Sequence, residues 1–499
     1  MNIVLLNGSP KGSESVTLQF AMYLAAQERQ HSFTVLEVAR RFRGFERDPA
    51  RFDDVVDQVA NADVVIWAFP LYYLLVSSGY KRFIELIFER NRGDAFAGRC
   101  AIALSTSIHF YDHTAHNYIR AVSEDLGMHY LDGYPAGMHD LFEPEEREHL
   151  LTWFRTMIER ASMGESQPRA FAPVVSQSWE YAPEGVLNAA ARPAGTTAAA
   201  PTRTLGTTAG ATPLRADRDN PTSDLVVVTA TMEGNTGAMV RRFERDCDEP
   251  VIIDLSRIRM GPCLGCLKCG FNNVCAYEGT KDEFVPLFRD YVLTAKKIVY
   301  AGTVHDRYLS ALWQRHLERS FVVTHQPRLT GKHIVFLISG PLAQNANTRE
   351  ILLSWAETNG ATVHSLVTDE SGSNAVLDAE IDAAARQLRE AAEADLRKPK
   401  SFRGVAGLTI FREEIQGGLR AIFQGDHAYY RAHGLYRGRR RGHTSPLRVL
   451  AMTAITRIPF MRRQVQKRLK SGMVAPYRRV VRETSPNYVD TDTVSASTG

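Results

Sequence analysis

From Ile3 to about residue 162, short apolar runs alternate with stretches of helical spacing, and the alternation restarts at Asp224 and runs to about residue 396. In the first part the spacing predicts strands at Ile3–Leu6, Phe33–Val38, Asp63–Phe69 and Cys100–Ser105. Between and after them it predicts helices at Val16–Gln27, Phe52–Asn61, Lys81–Glu89, His113–Leu126 and Pro144–Ala161. In the second part it predicts strands at Leu225–Thr229, Val251–Leu255, Lys297–Ala301, His333–Ile338 and Thr362–Val367. The matching helices are Gly237–Cys247, Phe284–Leu293, Leu309–Ser320, Thr348–Thr358 and Asp378–Ala394. Strands separated by helices of this length imply βαβ units and parallel sheets. The fold class is therefore α/β, with two tandem doubly wound domains of one kind at 1–162 and 223–396.

What lies outside the two runs differs in composition. Residues 163–222 contain the Ala/Thr/Gly/Pro-rich stretch Ala189–Pro213, which reads as a flexible low-complexity linker. Residues 397–499 form a basic tail, partly helical at Ile422–His433 and Leu447–Leu469, and polar from Pro486 onward. From Leu396 onward there are about 21 Lys/Arg against about 6 Asp/Glu, a net of roughly +15, although the whole chain carries only +4. An acidic body thus carries a basic tail. Arg437-Gly438-Arg439-Arg440-Arg441 and the stretch Arg462-Arg463 through Lys470 are suited to an anionic surface, or to packing on the acidic body or on a neighbouring subunit. No nucleic-acid-binding fold precedes them.

At 499 residues the chain is too long for one core, and 44% hydrophobic with 23% charged residues fits a globular protein. No run of 18 apolar residues is present, and the N-terminus lacks the pattern of a signal peptide, so the expected location is the cytoplasm. Six cysteines in such a length do not make a disulfide framework.

Three loops concentrate chemistry at one sheet edge. Asn7-Gly8-Ser9-Pro10-Lys11-Gly12-Ser13-Glu14-Ser15-Val16-Thr17 joins the first strand to the first helix. A polar, glycine-containing turn at a helix N-terminus suits a phosphate, because unpaired N–H groups and the helix dipole both favour an anion there. Ser9, Ser15 and Thr17 add hydroxyls and Lys11 a cation. The loop is neither a Walker A loop nor a G-x-G-x-x-G dinucleotide fingerprint. Pro70-Leu71-Tyr72-Tyr73 and Thr106-Ser107-Ile108-His109-Phe110-Tyr111 follow two further strands and fall on the same edge. Aromatic side chains at that edge can pack on a flat ring system.

Four cysteines crowd into Cys263-x2-Cys266-x2-Cys269-x5-Cys275. Thiolates favour iron–sulfur clusters or zinc, and a tight Cys-x2-Cys-x2-Cys run is the pattern of a compact cluster. A [4Fe–4S] cluster is the first reading, zinc the second, and a thiol role without metal the third. Cys100 and Cys247 read as small buried hydrophobes.

The loop Asn7-Gly8-Ser9-Pro10-Lys11 with Ser15 and Thr17 resembles the FMN phosphate loop of the NADPH-dependent FMN reductase and iron–sulfur flavoprotein group. Phe69-Pro70-Leu71-Tyr72-Tyr73 and the following Lys81-Arg82-Phe83-Ile84 resemble that group's second flavin loop and its helix. The resemblance covers most of residues 1–162. It implies a flavodoxin-like fold, with Ser9, Lys11, Ser15 and Thr17 holding the FMN phosphate and Pro70, Leu71, Tyr72 and Tyr73 flanking the isoalloxazine. Thr106 and Ser107 belong to the same expected cofactor site. Val16 departs from the polar residue of many relatives. The cysteine run is placed as in iron–sulfur flavoproteins, so the second domain resembles the family in its own right. Its first loop, Thr229–Thr236, ends in Gly-Asn-Thr but carries Glu233, which repels phosphate, and its second loop, Gly302–His305, lacks the Pro and Tyr.

The resulting expectation is an FMN-dependent oxidoreductase in which electrons pass between NAD(P)H or another donor, flavin and a [4Fe–4S] cluster. An electron-transfer flavoprotein without its own substrate and a zinc-stabilised interaction module with a basic anchoring tail are the alternatives. The donor NAD(P)H and a homo-oligomeric state come from the resemblance. His109, Tyr72 and Tyr111 are the side chains expected nearest the flavin edge, without an assigned acid or base.

Overall fold

The computed structural model describes residues 1–175, 178–185, 203–205, 224–245, 247, 250–436 and 446–485. They divide into two compact units. The first comprises Met1–Pro173, Pro262–Leu267 and Leu450–Gly499, and the second Val174–Gly261 and Lys268–Val449.

The first unit is built on five parallel strands, β1 (Asn2–Asn7), β2 (Ser32–Glu37), β3 (Val64–Pro70), β4 (Cys100–Ser107) and β5 (His129–Gly137), in the order β2-β1-β3-β4-β5. The three central strands are almost wholly buried, with apolar runs at Ile3–Leu6, Val64–Phe69 and Cys100–Leu104, as a sheet covered on both faces requires. Six helices cover it: α1 (Val16–Gln27), α2 (Val38–Arg47), α3 (Pro49–Ala60), α4 (Ser78–Glu89), α5 (Asp112–Asp125) and α6 (Pro144–Ser162). One face packs Ile3, Leu5, Ile66 and Ile102 against Phe20 and Leu24 of α1 and Phe154 of α6. On the other, the rings of Phe45, Phe52 and Phe83 lie within 6.2 Å of one another. Doubly wound sheets of this order bind ligands where the chain reverses direction, here between β1 and β3.

The C-terminal helix Pro459–Thr484 completes this unit. Val474, Tyr477 and Val481 are buried in the core of the α1 face, and the Tyr477 ring lies 4.5 Å from that of Phe142. The Tyr477 hydroxyl donates to the carbonyl of Met138 at 2.7 Å.

The second unit has a parallel sheet of β6 (Arg203–Leu205), β7 (Leu225–Thr229), β8 (Val251–Asp254), β9 (Lys297–Thr303), β10 (His333–Ser339) and β11 (Thr362–Thr368), in the order β11-β10-β9-β7-β8-β6. Apart from the three-residue edge strand β6, this is the five-strand order of the first unit.

Several elements depart from the sequence expectation. α2 and β5 are additional, as is a helix at Phe402–Gln416 that packs on Ala346–Thr358, with Arg403 bonded to Glu350 at 2.6–3.0 Å. The predicted helix Leu447–Leu469 is two helices, Pro446–Arg457 and Pro459–Thr484, because Pro459 starts a new one. Within the expected linker, Val174 onward belongs to the second unit. There Tyr181 is buried in the core with its hydroxyl bonded to Asp378, and Arg203–Leu205 pairs with β8. Residues 186–202 and 206–223, the run Arg437–Arg441 and the terminus from Pro486 lie outside the described residues. No helix among the described residues is long and apolar enough to cross a membrane.

Candidate functional site

The loops after β1, β3 and β4 leave the same edge of three neighbouring parallel strands. The first is held tightly. Gly8 donates its N–H to the carbonyl of Ala68 at 2.7 Å, and its carbonyl accepts from the Ser77 hydroxyl at 2.8 Å. A Cβ at Gly8 would overlap the Tyr80 ring, which is buried and donates its hydroxyl to the Leu6 carbonyl at 3.0 Å. Gly12 sits at φ +58°, a conformation that favours glycine, and lets the chain turn through Gly12–Glu14 into α1.

The hydroxyls expected at this loop are buried and partly committed. Ser9 accepts from the N–H of Lys11 at 3.2 Å, and Ser15 caps α1 by accepting from Leu18 at 3.4 Å. A hydroxyl that accepts still has its proton to donate, so Ser9 and Ser15 can each point an O–H at an anion. Thr17 and Thr106 bond to each other at 2.6 Å, which ties the first loop to the end of β4. Lys11 is half-buried. Burial, then Lys470, lowers its pKa, while Cys263, Cys266 and Glu14 act in the opposite sense.

The second loop turns back on itself. Tyr72 and Leu75 exchange backbone hydrogen bonds at 2.7 and 3.3 Å, and Tyr73 and Leu74 between them have φ of 45° and 63°. Non-glycine residues in this region are costly and gather where function needs them. Pro70, Leu71, Tyr72 and Tyr73 are half-buried, whereas Leu74–Tyr80 are fully buried. The loop therefore presents one aromatic-rich surface on a rigid base.

At the third loop His109 and Tyr111 also have positive φ, 58° and 55°. Ser107 is buried, accepts from the N–H of His109 at 2.8 Å and donates to Asp112 at 3.2 Å. His109 Nδ1 meets the same carboxylate at 2.9 Å, which raises the imidazole pKa. Burial opposes ionisation of Asp112, but its bonds to His109, Ser107 and the N–H of His113 prevail and lower its pKa. His116, behind this loop, bonds Ser105 at 2.8 Å, and burial pulls its pKa down to about 4, so it is neutral at pH 7.

A fourth segment joins these loops. At Gly265, φ is +59°, and a Cβ there would stand 2.5 Å from the Tyr72 hydroxyl and 2.8 Å from Cε of Lys11. Pro262–Leu267, with Cys263 and Cys266, thus lies against two residues of the expected flavin site. Sequence reasoning assigned those cysteines to the second domain and did not anticipate this contact. It also passed over Ser77, Tyr80 and Asp112, although Ser77 as the N-cap of α4 was legible from its type and position.

Residues 1–140 match the family model described as NADPH-dependent FMN reductase. The matched stretch runs from β1 to just past β5 and takes in all five strands of the first unit. Similar solved structures include the apo form of an NADH:FMN oxidoreductase, with 21% identity, 34% of this chain and 91% of that chain covered and a TM-score of 0.28. Another is the flavoenzyme NAD(P)H:(acceptor) oxidoreductase of Paracoccus denitrificans, with 14% identity, 33% and 98% covered and a TM-score of 0.28. A third is an FMN-dependent NADH-azoreductase of Bacillus anthracis in complex with FMN, with 15% identity, 32% and 98% covered and a TM-score of 0.25. No curated protein matches the chain.

The cysteine run is divided between the two units. Cys263 and Cys266 belong to the first unit, and Cys269 and Cys275 to the second. All four are half-buried and none is in a disulfide. Cys275 accepts from Nη2 of Arg319 at 3.8 Å, and Arg319 is itself buried and paired with Asp282 at 2.8 Å. Among the described residues, no three His, Cys, Asp or Glu side chains are placed to hold a metal ion. Cys100 is buried on β4 as expected, and Cys247 is half-buried with its thiol on the Phe243 carbonyl at 3.3 Å.

Proposed function

We propose that the chain is an NAD(P)H-dependent FMN oxidoreductase whose flavin sits on the β1, β3 and β4 loops of the first unit. The observation that carries this reading is the convergence of those loops at the β1/β3 reversal, within residues 1–140 that match the FMN-reductase family model. The residues fit the group. A cradle without a Cβ at Gly8, hydroxyl protons at Ser9 and Ser15 and the cation of Lys11 suit a phosphate. The half-buried surface of Pro70, Leu71, Tyr72 and Tyr73 suits a flat ring, and Thr106 and Ser107 close its polar side.

FMN, when bound, supplies hydride and single-electron chemistry. The chain binds and orients: Lys11, Ser9, Ser15 and Thr17 hold the phosphate, and Tyr72 and Tyr73 exclude water from one side of the ring. His109, kept protonated more readily by Asp112, offers a proton at the outer edge of the site.

The cysteines Cys263, Cys266, Cys269 and Cys275 are proposed, on spacing and thiolate chemistry, to hold a [4Fe–4S] cluster, with zinc as the alternative. Among the described residues no three His, Cys, Asp or Glu side chains are placed to hold a metal ion, so the support is the sequence pattern. Oxidation of NADH and NADPH by the FMN-loaded chain, with a soluble acceptor, tests the oxidoreductase reading. Turnover supports it, and a flavin-loaded chain that oxidises neither nucleotide contradicts it. Iron, acid-labile sulfide and zinc measured on the anaerobically purified protein test the cluster.

A further inference from the structure

The C-terminal helix begins more than 440 residues after the phosphate loop in sequence, yet it packs directly on it. Lys470, Val474, Tyr477 and Val481 follow one another at intervals of four, three and four, which places them along one helix face. Val474, Tyr477 and Val481 of that face are buried against the first unit, with the Tyr477 ring 6.4 Å from Phe20 of α1. Arg478 donates to the carbonyl of Ser13, inside the phosphate loop, at 3.2 Å. Gln27, at the end of α1, donates to the carbonyl of Thr484 at 3.1 Å and to Ser485 at 2.8 Å, which fixes the far end of the helix. Lys470 is half-buried, one turn before Val474 on the docked face.

We propose that this helix forms part of the flavin site's anion end, with Lys470 as a second cation for the FMN phosphate beside Lys11. The inference rests on the FMN reading above. The helix that carries Lys470 packs on the turn Gly12–Glu14 next to Lys11, so the two cations stand at the same end of the site. A phosphate dianion would satisfy both cations, and the partly buried setting strengthens the attraction over that in water.

The test compares FMN with riboflavin, which lacks the phosphate, on the full-length protein, with affinity read by quenching of flavin fluorescence. Lys470→Gln is expected to weaken FMN binding about tenfold, as loss of a partly buried charge pair does, to flatten its salt dependence, and to leave riboflavin unchanged. Lys470→Arg is expected to restore FMN binding. Arg468→Gln, an exposed residue on the opposite face, is expected to change neither ligand. Equal affinities of wild type and Lys470→Gln for FMN, or equal losses for FMN and riboflavin, would overturn the role of Lys470 while leaving the flavin site standing. Wild-type protein that binds neither flavin would overturn both readings.

Discussion

Single atoms decide much at the phosphate loop. Gly8 is pressed against the buried ring of Tyr80, so Gly8→Ala forces either the ring or the loop to move. Overpacking of this kind costs about 2 kcal/mol, and the expected outcome is a lower urea midpoint together with loss of both FMN and riboflavin binding. Gly265 makes a comparable approach to Tyr72 and Lys11, and Gly265→Ala is expected to weaken FMN binding by strain at its positive φ and by displacing both partners. A different residue effect lies in the second unit. His316 is fully buried among Phe284, Phe288, Tyr300 and Trp313, neither ring nitrogen has a hydrogen-bond partner, and burial pulls its pKa down to about 3. The unfolded chain takes up a proton there near pH 6.5, whereas the folded chain does not until about pH 3. Its contribution is thus complete above pH 6.5 and is lost as the pH falls toward 3. Urea midpoints measured across that range should fall less steeply in His316→Phe than in the wild type.

Elements differ in how plainly the sequence announces them. The central strands were legible because each is a short unbroken apolar run between turn residues, and α1 because Ser15 caps it where the apolar spacing begins. β5 reads His129-Tyr130-Leu131-Asp132-Gly133-Tyr134-Pro135-Ala136-Gly137, with Gly and Pro inside. Such a sequence argues for a loop, but at the edge of a sheet the missing N–H of proline is tolerated. α2 hides its pattern of Val38, Ala39, Phe42 and Phe45 among four arginines and a glycine. The three flavin loops were legible from their position after strands. The contacts of Gly265 and the C-terminal helix were not, because proximity across hundreds of residues leaves no local pattern. The docking of that helix carries its own prediction. Tyr477→Ala removes the ring packed on Phe20 and Phe142 and the hydroxyl bonded to Met138. Truncation of a large buried aromatic side chain costs about 3–5 kcal/mol, and the thermal transition of the first unit is expected to fall accordingly.

At the scale of the chain, two sheets of the same strand order carry different equipment. In the second unit, Asn235 of the Gly-Asn-Thr loop is already engaged. Its amide donates to the Trp179 carbonyl at 3.0 Å and to Asp369 at 2.8 Å, and its oxygen accepts from Tyr181 at 2.8 Å. With Glu233 beside it, that loop is occupied by its own chain and is poor ground for a phosphate. The expected stoichiometry is therefore one FMN per chain, held by the first unit. The most direct measurement is an anaerobic titration of the flavin-free protein with FMN, followed by addition of NADPH or NADH to the desalted complex. Retention of one FMN per chain, with the flavin absorbance bleached by the nucleotide, is the predicted result. FMN that separates from the chain on desalting, or bound flavin that neither nucleotide bleaches, would contradict the assignment of an NAD(P)H-dependent flavin site to the β1/β3 edge.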